Sequence, residues 1–567
     1  MDYKDDIPNV HASTTAAKKC VDFISDLPWE IVKSNIVPRI LGEGRPVFRL
    51  SQPWPYLDVC STWTRLIVLA DDSFYFILGS RYKLSGDYGG RISMVAPYIK
   101  TLAMFLYNEE SMDILLKSGT LMALTKLTIR VDGSQQALQE LLDISPNLTH
   151  LDLKYFANID MAIFELLDRC PKLIRLNLLV GGKATMDTTT RRQHNRSYGT
   201  IIHLEAVCED SNKTDIFLPL IQRLPNLRHL SLTFTPSFSA LDIIQTSCPK
   251  LQELYTSYPT LTYDVHDDVR CVDEGQGLKV LSFDGKYDLL YVADIMMRHS
   301  ATLESLVFKK DAFFITSTPR LWEQCDIQFS HLRTLSYEDR KKSTFIHFID
   351  WVIEHAPNLR SVETIHGPMQ RRHLDSTLRY RPLQRIGLYS TTMGETNEHP
   401  FLQYHLQLGT RSHLQEIKCT FLGFIRNDTW LALIPQLTQL KTLELCFHDN
   451  VSPSGLKVFI QQVANGCIGL EKVILKAIYF PYPYDWISAL AKHPNLKELV
   501  VDMEADTAVN LMLGVEQGLP KELYIALEAF AHLKTLYLKH DIGNWEPIIA
   551  LKRKVPNLVY TERHNPI

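Results

Sequence analysis

A phrase of leucines separated by mixed residues recurs along the chain as Leu-x-x-Leu-x-Leu. Full copies begin at Leu148, Leu173, Leu227, Leu440 and Leu533, and shortened ones at Leu278, Leu303 and Leu496. Neighbouring copies are mostly about 24 to 31 residues apart. The closing Leu-x-Leu alternates as a strand with one buried face does. Many copies follow a proline lead-in, as in Pro146-Asn147-Leu148, Cys170-Pro171-Lys172-Leu173, Pro225-Asn226-Leu227 and Cys248-Pro249-Lys250-Leu251. The same lead-in stands at Pro357, Pro494 and Pro556, with Pro97-Tyr98-Ile99 as a weaker version. Proline has no N–H and disfavours helix in the residue before it, so it ends a helix and feeds an extended segment. Degenerate copies at Leu124, Ile201, Leu332, Leu383, Leu414 and Leu470 bring the count to roughly 17 or 18, with a mean step of about 27 residues.

The second half of each unit reads as helix. Ala137, Leu138, Leu141 and Leu142 fall at helical spacing, as do Leu456, Phe459, Ile460 and Val463, and Phe348, Val352 and Ile353. Such stripes predict amphipathic helices with one buried side. A strand followed by a helix, repeated at this period, is the leucine-rich-repeat signature. Its expected fold is an α/β solenoid with parallel strands on a concave face and helices on a convex one, because neither element buries its apolar side alone. A long recognition surface follows more naturally than a catalytic pocket.

Composition agrees with this picture. The chain has 567 residues, of which 45% are hydrophobic, enough for a continuous core. Its net charge of −4 gives no general reason to expect nucleic acid or an anionic membrane as partner. Ten cysteines occur without a CxxC pair or metal-ligand spacing, and they read as reduced, buried thiols of an intracellular protein in the cytoplasm or nucleus. The longest apolar stretch, Leu66 to Leu78, is broken by Asp71 and Asp72 and is too short to span a bilayer. No cofactor and no metal are expected.

Residues 1–19 read as a disordered start, 20–68 as a small helical module, 69–94 as a linker or cap, and 95–567 as the repeats. In the helical module, Ser25 or Asp26 suits a helix cap, Pro28 its first turn, and Glu30 the positive helix end. Ile31, Ile36, Ile40 and Leu41 suit a buried side, and Val59, Cys60, Trp63 and Leu66 form a second stripe. A unit this small leaves apolar surface for a partner.

Leu27-Pro28-x-Glu30-Ile31, followed by Val59-Cys60-x-x-Trp63-x-x-Leu66 and then by leucine repeats, resembles the F-box/leucine-rich-repeat proteins. The resemblance implies that the first module docks on the Skp adaptor of a cullin-RING (SCF) ubiquitin ligase while the repeats hold a protein substrate. The adaptor-binding residues would then be Leu27, Pro28, Glu30, Ile31, Ile40, Val59, Cys60, Trp63 and Leu66. The gap between the two motif halves is several residues longer than is usual in the family, and the extra residues, around Gly42 to Pro55, read as a loop. The Asn or Cys usual after the repeat strand is mostly missing, which predicts irregular turns.

Sharper chemistry finds little support in the residues. Gly181-Gly182-Lys183 lacks the upstream glycine and following hydroxyl of a phosphate loop. The basic stretches Arg191–Arg196 and Arg371–Arg381 read as solvated, with a grip on an anion as the alternative to each. Cys60 lies on an apolar stripe with no histidine near in sequence, and His203, His229 and His448 share no metal spacing. The expected role is therefore a non-catalytic substrate receptor that is a monomer outside its complex. The alternatives are a scaffold without ligase assembly and a small-GTPase regulator.

Strand alternation also selects the residues that would meet the substrate on the concave face. They are Tyr255, Arg385, Tyr389, Lys418, Glu444, His448, Lys476, Asp502, Tyr537 and Lys539, with the Arg191–Arg196 loop as a lid from the rim. Tyr and Arg are common interface anchors, and alternating charge signs favour a mixed protein surface over a nucleic acid.

Overall fold

At each phrase the chain is extended, and each strand lies parallel to the one before it. The computed structural model describes residues 27–32, 47–49, 66, 75–78, 93, 95–104, 109–130, 135–156, 162–180, 196–208, 214–233, 236–257, 277–309, 313–315, 322, 327–337, 343–364, 378, 381–390, 400–421, 431–447, 452–477, 482–503, 521–530, 532–539, 545–555 and 557–561. Among these, twenty strands form one open parallel sheet whose spatial order follows the chain from Val47–Arg49 to Leu558–Thr561. A separate two-stranded sheet pairs Lys286–Asp288 with Phe313–Ile315. The fold is α/β and solenoid-like, since each unit adds one strand to the growing edge.

The units are stitched by a repeated hydrogen bond. From Thr101–Met104 to Glu498–Met503, one carbonyl just before each strand of the large sheet accepts two N–H groups from the next unit. Lys100 O accepts from Thr125 and Lys126, Thr125 O from Thr149 and His150, and the series runs on to Lys497 O with Lys534 and Thr535. Between them, asparagine performs a second stitch. Asn147, Asn226, Asn358 and Asn495, each from a Pro-Asn-Leu lead-in, donate through Nδ2 to carbonyls of the preceding unit at 2.7–2.8 Å. Lys172 and Lys250 then donate back to Asn147 Oδ1 and Asn226 Oδ1. The asparagine missing after the strand is thus matched by one before it, which satisfies turn carbonyls that would otherwise be orphaned.

The phrase leucines line one side of the strands and are almost fully buried. Together with the helix stripes they form a continuous core. The stripes lie where their spacing predicts, on Gln135–Asp143, Ser343–Glu354 and Pro453–Gly466. Towards mid-chain the core turns aromatic, with Phe283 stacked on Phe308 and Phe308 edge-on to Phe345.

The beginning of the chain departs from expectation. Val47–Arg49, within the stretch read as a loop of an all-helical module, is a strand of the sheet, and so is Tyr75–Leu78, within the stretch read as linker or cap. Neither carries the leucine phrase. Both are rich in β-branched or aromatic residues that favour strands, and they sit at the repeat's own spacing. The sheet therefore starts inside the first motif rather than after it. Leu27 and Leu66, from the two halves of that motif, both pack half-buried against the common core.

Candidate functional site

With leucines on one side, the alternate positions of every strand fall on the opposite face. The burial pattern along Lys472–Ala477 and along Arg175–Val180 keeps that alternation. In the C-terminal half this open face gathers charge. Arg385, Lys418, Glu444 and Lys476, on four successive strands, belong to one network completed by Glu363 and Glu416. Glu444 is its centre, with a side chain only 3% exposed. Its Oε1 accepts from Lys476 Nζ at 2.9 Å and lies 3.8 Å from Lys418 Nζ, while Oε2 is 3.4 Å from Arg385. Lys418 also binds Glu363, and Arg385 Nε reaches Glu416 at 3.3 Å.

Lys418 and Glu363 stand on strands with one strand between them, and the residue between is Gly387. A Cβ at Gly387 would sit 3.1 Å from Glu363 Cγ, so the glycine leaves room for the ion pair that crosses above it. Burial alone would raise the pKa of Glu444, but Lys476, then Lys418 and Arg385, outweigh it and hold the carboxyl below its ordinary value. Burial likewise pulls Lys418 and Lys476 down, while Glu363 for the former and Glu444 for the latter push each above the usual lysine value. All three remain charged at neutral pH. A buried carboxylate is tolerated here because three cations surround it.

Two strands further on, Asp502 is also buried and stands in register with Lys476. Tyr537 stands in register with Val500 on the next strand and is half-buried. His448 lies outside the described residues, as do the side chains of Tyr389 and Lys539. Tyr255 is not part of this network. Seven strands earlier in the sheet, its hydroxyl donates to Glu253 at 3.2 Å and its ring tilts against His229 at 4.8 Å. The sequence-selected set is therefore two groups, not one.

The N-terminal group was not legible as a site. His203 and His229 share no metal spacing, yet the sheet stacks their rings 3.8 Å apart and 11° from parallel. His229 Nδ1 donates to Glu253 at 2.8 Å. The register of parallel strands brings these residues together, and histidine at the same offset from successive phrases was the available signal. Among the described residues no group of three or more His, Cys, Asp or Glu side chains is placed to hold a metal ion. Buried thiols at Cys170, Cys248 and Cys467 are pushed up to about 12 by burial, so they stay protonated.

The proposed lid and second basic stretch fare differently. Arg196 pairs with Asp168 of the helix Ala162–Arg169 at 3.0 Å, so this end of the loop is held on the helical side rather than over the open face. Residues 191–195 lie outside the described residues. Arg381 donates to the carbonyls of Ile353 and Glu354 and thereby caps a helix end instead of joining an anion pocket. Arg371, Arg372, His373 and Arg379 lie outside the described residues.

At the first motif, the helix begins at Trp29 with Pro28 as its cap, two or three positions later than the Ser25 or Asp26 cap expected from the sequence. Val32 is buried, whereas Trp29 and Ile31 are exposed large apolar residues at 37% and 42%, beside exposed Pro28 and Glu30. Ile40, Val59, Cys60 and Trp63 lie outside the described residues. The chain matches no family model and none of the curated proteins with which it was compared.

Proposed function

We propose that this chain is the substrate-recognition subunit of an SCF-type ubiquitin ligase, with the Leu27–Leu66 motif docking on a Skp adaptor and the open face of the sheet holding a protein substrate. The observation that carries the reading is the pairing of two features at opposite ends of one solenoid-like sheet. At its start, a helix keeps Trp29 and Ile31 in solvent while Leu27 and Val32 anchor it. Along its C-terminal half, the open face holds a fixed array of mixed charge. Exposed apolar residues on an anchored helix suit a protein partner. The receptor acts without catalysis, by raising the effective concentration of the bound protein near a ubiquitin-charged enzyme. It works in the cytoplasm or nucleus. No helix among the described residues is long and apolar enough to cross a membrane.

The test is adaptor capture by the full chain. Because Leu27 packs on the core, the substitutions belong at solvent-facing positions: Trp29→Ala together with Ile31→Glu. Loss of an anchor of this kind costs roughly 2 kcal/mol or more, which erases a micromolar contact to the eye of a pull-down. Capture is expected to disappear while the circular dichroism and melting temperature stay unchanged. Undiminished capture, or none by the parent chain, would remove the ligase reading and leave a plain interaction scaffold.

A further inference from the structure

On five consecutive strands the first open-face position carries Lys126, His150, Arg175, His203 and His229, each in register with the next. Glu253 on the sixth strand closes the row and takes a hydrogen bond from His229. Strands lie about 4.8 Å apart, so the five side chains form a line of roughly 19 Å. Lysine and arginine are fixed cations here, and three imidazoles stand between and beside them. Neighbouring cations are felt along the line. Burial first, then the positive neighbours Lys126 and Arg175, lower the pKa of His150, and burial with His229, Arg175 and His150 lowers that of His203. Among the described residues, Nε2 of His203 is buried without a hydrogen-bond partner.

The residues two places along the same strands temper this row. Asp152 lies 3.9 Å from Lys154, and Glu205 is 3.9 Å from Arg175. Arg175 Nε is also 3.4 Å from Asn177 Oδ1, and Thr128, Ser231 and Tyr255 are uncharged. His150 Nδ1 meets the Thr149 hydroxyl at 2.9 Å. Arg130 and Lys154, on the third positions, add two more cations. The surface is positive along one line and mixed beside it.

We propose that the line from Lys126 to His229 docks an acidic segment, rich in aspartate or glutamate, of a protein partner laid across the strands. An extended segment of about six residues spans it at roughly 3.3 Å per residue. Carboxylates on such a segment meet Lys126 and Arg175 and draw a proton onto His150 between them. The interleaved Asp152, Glu205 and Glu253 favour a peptide over a nucleic acid, because peptide carboxylates can be spaced to avoid them and a regular phosphate backbone cannot. This inference is independent of the ligase reading and survives its failure, since it requires a protein partner but no adaptor.

The probe is a fluorescein-labelled octaglutamate peptide titrated with the full chain and followed by anisotropy at low salt. Saturable binding is expected, about threefold or more tighter at about pH 6 than at about pH 8, and weakened by added salt. Arg175→Glu and, as a separate variant at an exposed site, Lys126→Glu should each weaken it about tenfold. Lys492→Glu, an equal charge change at an exposed position beyond this row, should leave it within about twofold. Absence of saturation by about 1 mM peptide, or an affinity in both row variants equal to that of the unsubstituted chain, would overturn the proposal. So would tighter binding of an oligothymidylate of equal charge, which would assign the row to nucleic acid. An affinity that does not change between the two pH values would remove His150 from it.

Discussion

The two halves of the open face follow one backbone rule and reach opposite electrostatic outcomes. In the N-terminal half, one row sets Lys126, His150, Arg175, His203 and His229 on neighbouring strands, with Glu253 at its end and Asp152 and Glu205 beside it. In the C-terminal half, signs alternate across strands, so that Lys418 and Lys476 flank Glu444 and Glu363 answers Lys418. Opposite charges in register stabilise a sheet and like charges weaken it. The first half spaces its two fixed cations, Lys126 and Arg175, with an imidazole between them and keeps them available. The second half neutralises its charge internally. Sign order across strands, more than the charges themselves, decides whether this face offers charge or stores it.

The sharpest way to break the contrast is Glu444→Ala. It would leave Arg385, Lys418 and Lys476 facing one another without the carboxylate they share. Removing one partner of a buried ion cluster typically costs 3–5 kcal/mol, and since these cations keep some contact with water, about 3 kcal/mol is expected. The matching change in the other half, His229→Ala, removes a partly exposed pair and should cost less than about 1 kcal/mol. Urea unfolding of both variants measures the difference. Equal losses would show that the network is no more a structural element than the histidine row.

Much of this contrast could be read before the fold was known, and the part that could not has a physical reason. Arg385, Lys418, Glu444 and Lys476 were selectable because strand alternation after the copies at Leu383, Leu414, Leu440 and Leu470 fixes which side chains share a face. Glu363 escaped because its role depends on a contact over Gly387 that no local pattern encodes. The burial of Glu444 was equally hidden, since alternation gives a face and not a depth. His203 and His229 were seen but lacked meaning, because their stacking arises from strand register across 26 residues of chain. The strands at Val47 and Tyr75 were missed for the opposite reason. Their spacing fits the repeat, but their apolar residues are not leucine.

Acid should sharpen the comparison by separating the halves along the pH scale. The pKa of His203 is lowered from 6.5 to about 3, first by burial and then by His229, Arg175 and His150. The unfolded chain therefore takes up that proton first. Stability is whole above pH 6.5 and is lost as pH falls from there toward 3. Glu444 is also depressed, from 4.5, so its contribution is present above that value and is lost as pH falls through the carboxylate range. Both losses run in the same direction but in different windows, with the N-terminal half failing first. His203→Gln should flatten the fall in melting temperature between about pH 7 and pH 5 while leaving the steeper fall at lower pH in place. An unchanged slope in that variant would show that His203 takes its proton equally in both states.

The smallest expected effect isolates depth from charge. Lys472 pairs with Glu498 at 2.7 Å, and both side chains are about a third exposed, at 35% and 30%. Lys476, four residues along the same strand and on the same face, pairs with Glu444 at 2.9 Å, whose side chain is only 3% exposed. The two lysines thus share strand, face and partner type, and differ in how far the partner's carboxylate is from water. An exposed pair contributes little because solvent screens it and two long side chains must be held still, so Lys472→Ala should cost no more than about 0.5 kcal/mol. The small loss should shrink further in concentrated salt, where the screening length falls to a few ångströms. Lys476→Ala removes the closest cation from a carboxylate that water cannot replace, and should cost roughly 1–2 kcal/mol more, with little dependence on salt. If the two substitutions prove equally mild and equally sensitive to salt, Arg385 and Lys418 satisfy Glu444 by themselves. The network would then be a loose surface array, and the distinction between a face that stores charge and one that offers it would collapse.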